Sequence, residues 1–311
     1  MKKTVCTITP NPALDLSGTV RNIKPNEKCY VFDEQRAPGG NSINSARILN
    51  RLNIPVIASG FLGGSTGDEI HSLLDREKLR NHFIHISDST RINVTVSNQH
   101  DHKQTRLSFP GPTIRRDEKQ QLFELVSKNV NISLLVMGGS LPKGFTPKDL
   151  LHIMRLAQSR GIEVIIDSPG EILAQVVSGK PLLIKPNLEE FQTLTKSRVT
   201  TISSVIKKAK EKLPMVSLVC VSSVEGGAVL ITPESSFFGK IPRIKIRSTV
   251  GAGDSMVGAM VAQLYQGNTS AEELLKWGLA AAAATLSHPG TSLGRASEMQ
   301  HFYELIHVER Q

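Results

Sequence analysis

Apolar residues recur along this chain in two different rhythms. In the amino-terminal part they alternate with polar ones. Thr4–Thr9 reads as a first strand closed by Pro10-Asn11-Pro12, and two further extended runs lie around Leu16–Val20 and Cys29–Asp33. Val56–Phe61 reads as another strand, and Arg91–Val96 with Gln104–Phe109 flanks a polar turn, which predicts a hairpin with one wet face. Farther on the rhythm changes. Leu134–Met137, Val164–Ile166, Leu182–Ile184 and Leu218–Val221 are short and continuously apolar, as strands buried on both faces are. Ile241, Ile244 and Ile246 mark one more alternating run, read here as a strand.

Helical stripes separate most of these runs. Ile43, Ala46, Ile48, Leu49 and Leu52 line one face of a helix, and others fall near 68–79, 117–128, 147–159, 187–194, 201–213, 271–286 and 296–308. Alternating strand and helix predicts an α/β fold: a mostly parallel central sheet between two helical layers. Repeats, low-complexity tracts and obvious linkers are absent from the sequence. The expectation is one large domain over residues 1–311, carrying a small β lid built from segments near 12–37 and 88–110.

In such sheets, ligands gather beyond the carboxyl ends of the strands. Gly138-Gly139-Ser140, Asp167, Lys185-Pro186-Asn187 and Ser222-Ser223 all fall there. So does Thr249-Val250-Gly251-Ala252-Gly253-Asp254, which opens a small-residue helix. Gly251 and Gly253 allow a tight turn and close approach of a ligand, and the first helical amides are free to bind an anion. Asp254 on this turn can cap the helix or take a proton from a substrate hydroxyl. Gly39-Gly40 precedes the first helix in a comparable way, and Asp15 follows the first strand's proline break, where loops carry function. Neither a GxGxxG fingerprint nor a GxxxxGK[ST] loop occurs in the chain.

The net charge of +9 favours acidic partners such as phosphorylated metabolites. The basic residues are dispersed, and the cluster Lys207, Lys208, Lys210 and Lys212 is broken by Glu211, as on a solvated helix face, so no nucleic-acid partner is expected. Cys6, Cys29 and Cys220 are odd in number and widely spaced, which suits a reducing cytoplasm. The apolar run after Lys2-Lys3 is too short for a signal-peptide core, and no run reaches the ~18 apolar residues of a membrane span. The pairs His82/His85 and His100/His102 lack a third metal ligand nearby.

Three ordered motifs then coincide: Pro38-Gly39-Gly40 with Ile43-Asn44 and Ala46-Arg47, Lys185-Pro186-Asn187-Leu188-Glu189-Glu190, and Thr249–Asp254. Together they resemble the signatures of the ribokinase-like, PfkB-type carbohydrate kinases over essentially the whole chain. Phe109-Pro110-Gly111, Gly139-Ser140-Leu141-Pro142 and Asp167-Ser168-Pro169-Gly170-Glu171 are similar to the branch of minor bacterial 6-phosphofructokinases. The resemblance implies a three-layer ribokinase-like fold, ATP as phosphoryl donor with Mg²⁺, and a homodimer joined through the β lid.

It also implies roles. Asp254 would be the base, with the amides of Gly251, Ala252 and Gly253 on the transferring phosphoryl group. Asn187 and Glu190 would organise Mg²⁺, mostly through water. Lys185, Asn187, Ser222, Gly227 and Thr249 would line ATP, together with Gly251 and Gly253. Asp15, Gly39, Gly40 and Asn44 would hold sugar hydroxyls, with Lys28, Arg91 and Ser140 near the sugar and its phosphate. Phosphoryl transfer makes modest demands on a base, so an Asp254 of low pKa beside a helix N-terminus is expected to suffice.

Three departures touch substrate identity. Asn41-Ser42 replaces the usual Gly-Gly or Lys-Gly. Tyr30 stands where the branch carries a phosphate-binding arginine, and Ser222–Gly227 lacks one glycine of the nucleotide loop. The leading expectation is ATP-dependent phosphorylation of the C1 hydroxyl of fructose 6-phosphate. 1-Phosphofructokinase or tagatose-6-phosphate kinase chemistry is the alternative, and a catalytically weak sugar-phosphate sensor is the alternative of another class.

Overall fold

The computed structural model of the chain describes residues 3–101, 103–128 and 131–311. Strands and helices are numbered in chain order. Six strands form a parallel core: β1 (Thr4–Thr9), β4 (Val56–Leu62), β5 (Ile84–His85), β8 (Ile132–Gly138), β9 (Glu163–Asp167) and β10 (Leu183–Ile184), continued in parallel by β11 (Leu218–Val224). Beyond β11 the sheet turns antiparallel through β12 (Gly227–Ile231), β13 (Ser236–Lys240) and β14 (Val308–Arg310). The ten strands run β14-β13-β12-β11-β10-β9-β8-β1-β4-β5.

The two-faced burial read from the apolar runs is realised residue by residue. Leu135, Met137, Ile166, Ile184 and Val221 face one helical layer, built from α3 (Arg116–Lys128), α4 (Pro147–Gln158), α5 (Gly170–Val176), α6 (Leu188–Thr195) and α7 (Ile202–Lys212). Their neighbours Leu134, Val136, Ile165, Leu183 and Cys220 face the other layer. That layer holds α1 (Asn41–Arg51), α2 (Gly64–Arg76), α8 (Ala252–Tyr265) and α9 (Ala271–Leu286), with α10 (Ala296–Leu305) outside them.

A separate four-stranded sheet runs β3-β2-β6-β7, from β2 (Ala13–Val20), β3 (Phe32–Gly39), β6 (Arg91–Asn98) and β7 (Gln104–Ser108). The predicted hairpin is β6–β7, paired antiparallel. β2 leaves the large sheet directly after β1, so the small sheet hangs over the carboxyl ends of the parallel strands.

Several boundaries differ from the sequence reading, each for a local reason. The run Ile241–Ile246 is not a strand: Pro242 has no N–H to give a ladder, and Ile246 is 56% exposed. The second strand of the small sheet is Phe32–Gly39 rather than Cys29–Asp33; its pairing with β2 shifts register between Ser17 and Thr19, and Asp33 takes φ 54°. α2 begins at Gly64, earlier than expected, and the last helix stops at Leu305 so that β14 can pair with β13. α5 and the antiparallel strands β12–β14 were not anticipated.

Among the described residues no helix is long and apolar enough to cross a membrane. Cys6, Cys29 and Cys220 are all free thiols, and burial pushes the Cys6 and Cys220 thiols up to about 12. No cluster of three or more His, Cys, Asp or Glu able to hold a metal occurs among the described residues; His102 lies outside them.

Candidate active site

The turn before α8 sets the geometry. Gly251 takes φ +78°, and a Cβ there would sit 2.6 Å from Leu293, so the position needs glycine twice over. Among the described residues no side chain caps the helix, leaving its first-turn amides unfilled. Asp254, in that first turn, does not cap it either. Its Oδ2 accepts a 2.8 Å hydrogen bond from Asn44 Nδ2, and Ser45 Oγ donates to its carbonyl at 2.9 Å. These contacts across 210 residues of chain exist because α1 and α8 pack closely. A Cβ on Gly258 would lie 2.8 Å from Ile48 and 2.9 Å from the Ser45 carbonyl.

Two cavities open on either side of this turn, and Thr249 and Gly253 belong to both. The first, about 500 Å³, lies under the small sheet. Asp15, Gly40, Asn44, Arg91, Ser140 and Asp254 line it, and so does Glu190. Gly39 is not on its wall but makes room for it: a Cβ there would overlap the Asp15 carboxylate at 2.3 Å. Asp15 accepts from Asn93 Nδ2 at 3.0 Å; burial raises its pKa, with the Asn93 bond and nearby arginines opposing. Lys28 lines neither cavity. It lies on the exposed segment between β2 and β3, its ammonium 4.9 Å from the Tyr30 ring centre.

The second cavity, about 510 Å³, is bounded by Lys185, Asn187, Ser222, Gly227 and Ala252 and floored by Met256, Leu279 and Ala282. Its polar edge and apolar floor suit a nucleotide. The loop closing it is a two-residue hairpin turn in which Glu225 (φ 47°) and Gly226 (φ 78°) both have positive φ.

Asp167 and Lys185 stand between the cavities. They form a buried ion pair at 3.2 Å, and the Lys185 ammonium lies 3.1 Å from where a Gly253 Cβ would be. Burial, the largest influence, works to lower the Lys185 pKa, but Asp167 and Glu190 outweigh it and hold it above the ordinary value. Asp254 departs from expectation. Enclosure by protein, reinforced by the Asp167 charge, raises its carboxyl to about 7 against the Asn44 bond and Lys185. The helix N-terminus therefore does not hold it low. The residue keeps partial exposure along the cavity wall.

Asn187 and Glu190 form a reciprocal capping box on α6, with Glu190 N–H donating to Asn187 Oδ1 at 2.9 Å and Asn187 N–H to Glu190 Oε2 at 2.8 Å. The structural role and a position at the cavities coexist, since each residue also faces one of the two.

Sequence reading passed over Asn11, Asn93, Arg106 and Ser108, all on the first cavity's wall. The signal for the last two was period-2 alternation in the hairpin. Asn93 pairs with Ser108 and Thr95 with Arg106, so these side chains share the face carrying Arg91. Arg91 is held by the carbonyls of Asn11 (3.0 Å) and Phe109 (3.1 Å). Among the described residues neither Arg91 nor Arg106 has a carboxylate within ion-pair distance, and the Asp15 carboxylate on the same cavity wall acts on both from farther off. Asn41 lines the floor with its Nδ2 3.4 Å from Asp167 Oδ2, while the Ser42 hydroxyl is buried with no partner among the described residues.

A ribokinase-like sheet with a bare helix N-terminus between a polar cavity and an apolar-floored one, and a carboxyl on that turn, defines a phosphotransferase acting on a hydroxyl. The chain belongs to the pfkB family of carbohydrate kinases, whose pattern matches residues 7–298. It is 35% identical over 305 residues to ATP-dependent 6-phosphofructokinase isozyme 2 of Escherichia coli K12, covering 97% of this chain and 98% of that protein. It is 31% identical over 284 residues to 1-phosphofructokinase of Borreliella burgdorferi, covering 90% of this chain and 91% of that protein. The solved structure of Escherichia coli phosphofructokinase-2 in complex with fructose-6-phosphate matches with TM-score 0.90 at 32% identity, covering 97% of this chain and 99% of that one.

Proposed function

We propose that this kinase transfers the γ-phosphoryl group of ATP to the C1 hydroxyl of fructose 6-phosphate, giving fructose 1,6-bisphosphate and ADP. The observation that carries the proposal is the shared turn: an acceptor in one cavity and a donor in the other meet at Gly251–Asp254. Asp254 Oδ1, left free by the Asn44 bond to Oδ2, takes the hydroxyl proton. The new bond forms between the C1 oxygen and phosphorus as the bond from phosphorus to the β–γ bridging oxygen breaks. The unfilled amides of Ala252 and Gly253 receive the charge on the equatorial oxygens. A base titrating near 7 is matched to neutral pH.

Arg91 and Arg106, with Ser140, face the sugar's own phosphate, and two guanidinium groups there favour a phosphorylated sugar over a free one. Asp15, Asn44 and the Gly40 backbone face its hydroxyls, with Gly39 leaving room for the Asp15 carboxylate. Lys185, Ser222, Gly227 and Thr249 face ATP. The oxygen-only donors Asn187 and Glu190 suit a hard cation, and with no denser ligand cluster among the described residues Mg²⁺ would keep most of its waters. Mg²⁺, when bound, neutralises charge on the donor phosphates.

Ile23, Val31 and Phe32, together with Leu107 and Phe109, leave apolar surface exposed on and beside the small sheet, Val31 at 54% and Leu107 at 52%. That surface supports a homodimer through the sheet. Lys28 and Tyr30 adjoin it, so Lys28 would meet substrate only across such an interface. One panel tests the assignment: coupled ADP release with MgATP and fructose 6-phosphate, fructose 1-phosphate, tagatose 6-phosphate and free fructose. The highest kcat/KM is expected with fructose 6-phosphate. Preference for another sugar phosphate reassigns the substrate, preference for free fructose removes the role of Arg91 and Arg106, and no turnover with any leaves only a sensor.

A further inference from the structure

Arg47 is 5% exposed and reaches neither cavity, yet it stands one helical turn from Asn44 on α1. Its Nε and Nη2 grip the Glu77 carboxylate at 2.6–3.0 Å, at the carboxyl end of α2. Nη1 points the other way, to Asn44 Oδ1 at 3.4 Å and the Pro38 carbonyl at 3.5 Å. Asn44 in turn gives Nδ2 to Asp254 at 2.8 Å.

A guanidinium only donates and an ionised carboxylate only accepts, whereas an asparagine amide does one at each end. With Arg47 on one side and Asp254 on the other, a single orientation of the Asn44 amide satisfies both. Rotating it by half a turn would set NH₂ against the guanidinium and oxygen against the carboxylate, exchanging two attractions for two repulsions. Glu77, binding the other edge of the fork, keeps Nη1 aimed at Asn44. We infer that Arg47, clamped by Glu77, is a positioning residue that fixes the Asn44 amide and through it the reacting carboxyl of Asp254. The inference rests on the reading of Asp254 as the base.

The charged groups acting on Asp254 are Asp167, Lys185 and Asp15; those acting on Arg47 are Glu77 and, in its wider field, Arg51 and Asp15. The plain alternative is that the Arg47–Glu77 pair only ties α1 to α2, and a double-mutant cycle separates the two. Arg47→Met is expected to lower kcat by about 10- to 100-fold, the scale for a misplaced reacting group, with little change in the KM for ATP. Arg47→Lys, which keeps the charge but loses the fork, falls between. In an Asn44→Ala background the same Arg47 substitution should cost nothing further. An equal cost in both backgrounds overturns the inference.

A disordered Asn44 donor also removes a bond that holds the Asp254 carboxyl down, so the acid limb of kcat/KM should move to higher pH. An unmoved limb overturns the inference as well. Where thermal melts show Arg47→Met unfolded, Arg47→Lys and Glu77→Gln carry the same cycle. A substrate-free readout is the Asp254 carboxyl titration by ¹³C NMR, assigned with Asp254→Asn. An upward shift in the Arg47 variants is expected, and coincidence with wild type refutes the mechanism. This titration does not depend on which sugar is used, so a wild-type protein inactive on the whole panel would defeat the proposed substrate and leave this test standing.

Discussion

Replacing Asp254 by asparagine removes a charge and a base while changing little else. The side chain keeps its length, and its amide oxygen can still accept the Asn44 hydrogen bond now formed at 2.8 Å. Loss of a general base costs ~10²–10⁴-fold in turnover, so kcat should fall by that factor while ATP affinity holds. The same substitution has a second consequence, of opposite sign. The Asp254 carboxyl rises from 3.8 to about 7 on folding, which amounts to about 4 kcal/mol before allowing for water entering the cavity mouth.

The direction of that linkage follows from the shift. A carboxyl whose pKa is raised in the native state disfavours folding once ionised. The penalty is absent below the unfolded value of 3.8, grows through the interval, and is complete above about 7. Wild type should therefore carry about 2–3 kcal/mol more of this penalty at pH 8 than at pH 5. Asp254→Asn escapes it, so its stability advantage over wild type should widen as pH rises. Urea denaturation of both proteins at pH 5 and pH 8 measures the difference, and coupled ADP release gives kcat/KM, which in wild type should climb through pH 7. Near-normal turnover would remove Asp254 from the chemistry. A stability gap that does not change with pH would show that the carboxyl is not strained by its surroundings.

Arg106→Ala should raise the KM for the sugar phosphate roughly 10- to 100-fold, the worth of one hydrogen bond to a charged group, with a smaller effect on kcat; steady-state kinetics decides. Glu190→Gln keeps the capping box on α6 and so should melt like wild type, while requiring about tenfold more Mg²⁺ for half-maximal rate. Gly251→Ala should lose about 1–3 kcal/mol of stability from the forced positive φ alone, before the contact with Leu293, and a denaturant midpoint unchanged from wild type would contradict that.

Much of the fold was legible because burial writes itself into period. Strands covered on both faces need apolar residues at every position, and Leu134–Met137 and Val164–Ile166 show that demand without any knowledge of partners. Isoleucines 241, 244 and 246 show the limit of the same reasoning. Alternation there matched a strand, but Pro242 withholds a ladder donor and the edge was taken by β13 and β14, whose pairing joins residues 69 to 73 apart and leaves no local mark. Arg106 was missed for a related reason, since its direction is decided by hairpin register against Thr95 rather than by its own neighbours.

What the order of residues determined alone was the turn at Gly251–Asp254 and the glycines before α1. Each is a local demand on backbone angle or amide pairing, and each must be met within a few residues. Tertiary structure decided everything that depends on distance across the fold: two cavities meeting at Thr249 and Gly253, Lys28 outside both, and Asn44 against Asp254. It also decided the charge state of the base. A carboxyl's pKa follows from which other charges share its low-dielectric surroundings, and Asp167 and Lys185 reach Asp254 only through packing.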